Sequence, residues 1–206
     1  MPAMKMMFLI AIVGHLLCGY TDCLMTYLPN GRFRFEDMKD NRKLSTAFKN
    51  MPLKQSLMSM LLGCLAMFLF FFGYIALCQW MKQYSETCAV LMLIGSGMIF
   101  TFGMAHHILC GVPEWLYIKL ERTEEARQII TELFKKTSVT MFVCYLGFLL
   151  FGAPMFIAVV SGWTSLPEWA CVFNVLPLML LLFPVRIGGS GNWAGAIMFI
   201  GLLFLI

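Results

Sequence analysis

The sequence predicts an all-α integral membrane protein, a polytopic bundle of six transmembrane helices, and three observations carry that expectation. Hydrophobic residues make up 60% of the 206 positions and charged residues only 13%, with a mean hydropathy of +0.80, well above the balance of a soluble domain. Several runs reach the roughly 20 apolar residues that a bilayer core about 30 Å thick demands of a helix. None alternates with the period of two of a barrel strand. Together these exclude a soluble enzyme, a nucleic-acid partner, a secreted disulfide scaffold and a disordered chain.

The six spans fall at residues 6–28, 57–80, 87–110, 138–161, 166–183 and 193–206, within one transmembrane domain covering residues 1–206. The first follows Lys5 but is longer than the apolar core of a signal peptide, about 7 to 15 residues, and it contains His15 and Asp22, so it reads as a retained helix. Spans two and three are joined by a short turn. Span three ends in Gly111-Val112-Pro113-Glu114-Trp115, and span five begins Leu166-Pro167-Glu168-Trp169. Proline starts or stops a helix, glutamate favours its first turn and tryptophan anchors at an interface, so the shared triplet needs no internal repeat. Pro154 in span four and Pro177 in span five are expected to kink their helices. The sixth run is only about 21 Å long at 1.5 Å per residue. It implies either a native chain continuing past Ile206 or a helix that starts inside the preceding glycine-rich turn.

Charge then sets the orientation. Of the 15 lysines and arginines, only Lys5 and Lys82 lie on one side; the rest fall in residues 29–56, 111–137 and 184–192. The positive-inside rule makes those three loops cytoplasmic and places both termini outside, with the plasma membrane as the expected location. Residues 123–136 carry Ala126, Ile129, Ile130, Leu133 and Phe134 at helical spacing, with Glu124 and Glu125 at the start and Lys135 and Lys136 at the end. That is the pattern of a cytoplasmic amphipathic helix between spans three and four. The stretch 33–48, with Phe33, Phe35, Met38, Leu44 and Phe48 among charged residues, is similar in kind and either lies on the inner leaflet or caps the bundle end.

Ionisable groups inside the hydrocarbon cost about 2.5 to 3.5 kcal/mol each, so each demands a partner or a function. Here they are His15, Asp22, His106, His107 and Glu168, with the neutral Asn174 near mid-bilayer. His15 and Asp22 share one face of span one, two turns apart, with Cys18 between them. The depths of Asp22 and the histidine pair match. Because adjacent helical positions diverge by about 100°, only one of His106 and His107 can face Asp22 in a regular helix. A buried Asp–His pair is therefore expected, and Asp22, His106 and His107 are the candidate catalytic residues: a carboxylate that orients a histidine acting as general base. His15, Glu114, Arg186 and Asn174 are the candidate binding residues. Arg186, followed by Gly188-Gly189-Ser190-Gly191, either clamps an anionic headgroup or simply snorkels beside a flexible turn. The contiguous histidines lack the spacing of paired metal ligands, so no metal site is assigned, and the cofactor is unknown. The eight cysteines read mostly as small packing residues; a disulfide between Cys78 and Cys88, which flank an outer turn, is one option.

The stretch from Gly14 to Gly31, with His15, Asp22, Tyr27 and Pro29, is the most motif-like part of the chain. No activity is assigned to it, and the spacings of the chain's Asp, Glu and His residues do not align with those of small membrane hydrolases or sterol isomerases. Three functions are compatible: a pocket in the cytoplasmic half of the bundle that binds or processes a lipid or amphipathic small molecule, a small proton-coupled transporter or channel subunit, and a structural or regulatory membrane subunit. The first is preferred because the ionisable groups cluster at one depth instead of spreading across the bilayer. Oligomeric state is left open.

Overall fold

The computed structural model describes residues 2–185 and 187–206. Among the described residues, eight α-helices dominate: α1 (Pro2–Thr26), α2 (Asn41–Ala47), α3 (Leu53–Lys82), α4 (Glu86–Lys119), α5 (Glu124–Thr137), α6 (Val139–Val160), α7 (Val175–Leu182) and α8 (Ser190–Leu205). Four helical stretches are long and apolar enough to cross a membrane: Pro2–Thr26, Leu53–Lys82, Glu86–Lys119 and Glu124–Val160. Val175–Val185 and Ser190–Leu205 are apolar but shorter.

The helix starts follow local chemistry. Ser85 accepts a bond from Cys88 N at 3.2 Å to open α4, and Thr123 does the same from Ala126 N for α5. Each cap satisfies one of the four backbone N–H groups that a helix start leaves unpaired. Only Ser138 separates α5 from α6, so the two are almost continuous.

Six helices close a ring in which each packs on its neighbours: α1 on α3, α3 on α4, α4 on α6, α6 on α7, α7 on α8, and α8 back on α1. Consecutive members run antiparallel. Close approach depends on small residues. A Cβ on Gly95 would lie 2.6 Å from Phe151 N, and one on Gly147 would lie 2.8 Å from Gly95 O, so α4 and α6 touch backbone to backbone. The ring is filled by large apolar side chains centred on Tyr74, whose ring meets those of Phe151 at 4.6 Å and Phe199 at 5.4 Å.

A second, smaller core sits at the end of the ring where α4 stops. It joins Leu28, Met38, Leu44 and Phe48 to Tyr117 of α4 and to Ala126 and Ile130 of α5. Arg127 donates to Met38 O at 2.7 Å, and Tyr117 donates to Asn41 Oδ1 at 2.6 Å.

Several expected boundaries are revised. The first helix stops at Thr26, and Tyr27–Leu28 pairs with Gly31–Arg32 in a short antiparallel hairpin. α4 does not end at residue 110 but continues through Pro113 to Lys119; one proline inside a long packed helix removes one hydrogen bond while the flanking turns hold. Residues 166–183 are not one helix: a 3-10 helix at Glu168–Phe173 is followed by extended backbone at Asn174, then α7. α8 begins at Ser190, inside the glycine-rich turn. The stretch 33–48 forms a 3-10 helix at Phe35–Lys39 and then α2, both packed on the second core. Cys78 and Cys88 are both free, and Cys78 Sγ lies 3.6 Å from Ser96 Oγ.

Candidate functional site

The candidate site lies where the ring meets the second core. Asp22 sits one turn before the end of α1. Its Oδ1 is 3.3 Å from Nδ1 of His107 on α4, and its Oδ2 accepts from Nδ2 of Asn192, on the first turn of α8, at 2.7 Å. Asn192 Oδ1 in turn lies 3.2 Å from His15 Nδ1. One carboxylate and one amide thus tie α1, α4 and α8 together. On the far side of its ring, His107 Nε2 bonds Ser59 O at 3.0 Å, while Ser59 Oγ donates to Thr21 O at 2.8 Å.

Glycines make room for these side chains. Gly63 faces the His107 imidazole so closely that any Cβ there would overlap it, and Gly195 faces His15 in the same way. Gly189 has a φ of +72°, and a Cβ there would lie 2.7 Å from Asp22 Oδ2. Both facts restrict that position to glycine.

Both nitrogens of His107 face oxygen acceptors. Each of these contacts needs a proton or a metal ion between its two heavy atoms. Neither ring nitrogen is turned to the cavity as a free base. The neighbouring His106 points elsewhere, with Nδ1 3.1 Å from Thr140 Oγ1 and Nε2 3.4 Å from Cys110 Sγ. Cys18, one turn before Asp22, brings its Sγ into a group with Asp22 and His107 whose ligand atoms all lie within 4.8 Å of one another. Among the described residues, these three form the group that could hold a metal ion.

A cavity of about 320 Å³ opens beside this cluster. Asp22, His106, His107, Glu114 and Asn192 are among its polar lining residues, and Phe70, Ile99, Phe148 and Met179 are among its apolar ones. Phe35 and Phe134 of the second core also line it.

Residues 1–205 match the family model described as a family of unknown function, DUF6796. The chain belongs to that family. No curated protein and no solved structure matches it.

Set beside the expectations from sequence, this DUF6796 member brings Asp22 and His107 into contact and leaves His106 hydrogen-bonded to α6. Glu114 lines the cavity but bonds Ser56 Oγ at 3.5 Å and is outside the group of possible metal ligands. His15 is fully buried behind Asn192, stacked on Phe70 at 4.1 Å, and its Nε2 has no partner among the described residues. Asn174 is not at the cavity. It caps α7 through Leu176 N at 3.0 Å and donates to Gly152 O at 2.9 Å, so the break in the chain uses its polar atoms. Arg186 lies outside the described residues. Asn192 and Ser59, which position the Asp–His pair, were not singled out by the sequence. A neutral amide in a glycine-rich turn and a serine in an apolar helix carry no signal until the fold brings them to Asp22.

Proposed function

We propose that this chain is a multi-pass membrane protein whose cavity binds a lipid or another amphipathic small molecule, with the polar head at Asp22, His107 and Asn192 and the apolar part along Phe70, Ile99 and Phe148. The observation that carries this reading is the polarity of the cavity. Its lining sets the charged and amide groups of Asp22, His107, Glu114 and Asn192 among mostly aliphatic and aromatic side chains, and its volume is that of a small-molecule site.

In this reading the ring comprises six spans. The 3-10 helix at Glu168–Phe173, α7 and the short turn at Phe183–Val185, laid end to end, reach about 30 Å at the usual rises, enough for the hydrocarbon. The outward side chains support immersion in lipid: Leu61 is 71% exposed, Leu180 76% and Phe204 81%. Trp163 and Trp169, exposed near the α6–α7 connection, suit an outer interface. The second core, with the basic loops around it, then faces the cytoplasm of a plasma-membrane protein, and α5 presents its charged face to water. A proton-coupled path is less well supported, because the bonded chain from His107 through Asp22 and Asn192 ends at His15 among Phe70, Tyr74 and Phe199.

Gly103 lines the cavity, and the nearest atom a Cβ there would meet is Cys144 Sγ at 3.2 Å. Gly103→Leu, one turn before His107 on α4, should therefore take up part of the cavity volume. Native mass spectrometry of the detergent-purified protein should show a defined amphiphile on the unaltered chain and its loss from Gly103→Leu purified as a folded, monodisperse protein. The same mass distribution for both proteins would refute the pocket.

A further inference from the structure

We propose that Cys18, Asp22 and His107 form a zinc site beside the cavity, with the fourth coordination position open toward it. No metal site is assigned from the sequence, because the two histidines are contiguous and lack the spacing of paired ligands. The fold replaces that missing spacing with ligands from two helices: Cys18 and Asp22 one turn apart on the same face of α1, and His107 from α4. Their donor atoms all lie within 4.8 Å of one another, and the closest pair, His107 Nδ1 and Asp22 Oδ1, is 3.3 Å apart. Two ligands each about 2.0 to 2.1 Å from a tetrahedral zinc stand at close to that separation.

Orientation of the ligands points the same way. A histidine that binds a metal through one nitrogen usually donates its other N–H to a carbonyl or carboxylate, which fixes the tautomer. His107 does so through Nε2 to Ser59 O, leaving Nδ1 for the ion. Asp22 is held likewise, its Oδ2 accepting from Asn192 while Oδ1 faces His107. With His107 Nε2 donating to Ser59, the Nδ1 lone pair and Asp22 Oδ1 face each other at a separation that a proton or a metal ion can bridge.

Charge and donor type select the ion. A thiolate, a carboxylate and a neutral imidazole around a divalent ion sum to zero, so the group lies within the helical ring without a net charge. Sulfur and imidazole donors exclude magnesium and calcium, and the mixed set suits zinc. Binding displaces the proton of the Cys18 thiol to solvent, together with any proton shared by His107 and Asp22, so uptake should strengthen as pH rises. Asp22 and His107 line the cavity, which leaves the fourth position to water or to an anionic or hydroxyl-bearing head of a bound amphiphile. The site itself does not depend on the amphiphile reading.

The test uses the full chain in detergent, stripped with a chelator and reloaded with cobalt(II), which reports a thiolate ligand by a charge-transfer band. One cobalt per chain with that band is expected. Cys110→Ser, which alters a thiol near His106 instead, should keep the band, and Cys18→Ser should lose it. Asn192→Ala, which removes a positioning residue, should weaken uptake about 10- to 100-fold. No stoichiometric cobalt uptake by the folded unaltered chain would overturn the site, as would a band that survives Cys18→Ser or vanishes in Cys110→Ser. Because the first result needs no variant, misfolding of a mutant cannot obscure it. Amphiphile retention by the stripped chain, measured in parallel, separates failure of the metal site from failure of the pocket.

Discussion

At the scale of single residues, the site is built by what is absent as much as by what is present. Gly63 leaves the space that the His107 ring fills, so Gly63→Ala forces the imidazole away from Asp22 and Ser59. Crowding a packed interior in this way costs about 1 to 3 kcal/mol. The expected outcome is a lower midpoint of thermal unfolding in detergent for Gly63→Ala in the unaltered chain and little further loss when it is added to His107→Ala, since the smaller side chain restores the space. An additive double variant would mean that Gly63 serves the α3 backbone and not the histidine. Asp22 was legible in the sequence because a carboxylate in an apolar run is costly without a partner. Its choice of His107 over His106 was not, because that choice depends on the rotation of α4 about its axis.

Among the elements, the strongest contrast is between α5 and the chain around Asn174. The caps, end charges and helical spacing of residues 123–137 define α5 locally, and the structure forms a helix over Glu124–Thr137. Residues 166–183 carry the same apolar composition as the true long helices, yet they break at Asn174, whose side chain bonds α6 and caps α7. Apolar composition states that a segment avoids water; it does not state that its backbone is continuous. The stretch 33–48 shows the opposite effect, being irregular in sequence but held by Tyr117 and Arg127 through Asn41 and Met38. Arg127→Ala removes the bond from α5 to Met38 O and should raise the susceptibility of residues 33–50 to limited proteolysis several-fold, with little change in global unfolding. Equal proteolysis in both proteins would show that the apolar contacts of the second core suffice without it.

For the whole molecule, the proposed six-span arrangement puts the α3–α4 turn on one side of the membrane and α5 on the other. In intact cells, an impermeant thiol reagent should label Gln83→Cys, and should label Lys135→Cys only after permeabilisation, with the unaltered chain as the background control. Labelling of both from outside would break the orientation drawn from the basic loops. Composition, length of the apolar runs and placement of lysines and arginines were enough to establish the all-α class and helices suited to a membrane, because the bilayer leaves an α-helix or a closed barrel as the ways to satisfy a buried backbone. The sequence likewise marked the residues that had to find partners, since the cost of burying a charge is a property of that residue and its run. Which partners they found was decided by the tertiary structure alone. Asn192 reaches Asp22 from 170 positions away, and Cys18 joins His107 across two helices, because helix rotation and close packing at glycine, not spacing along the chain, bring those atoms together.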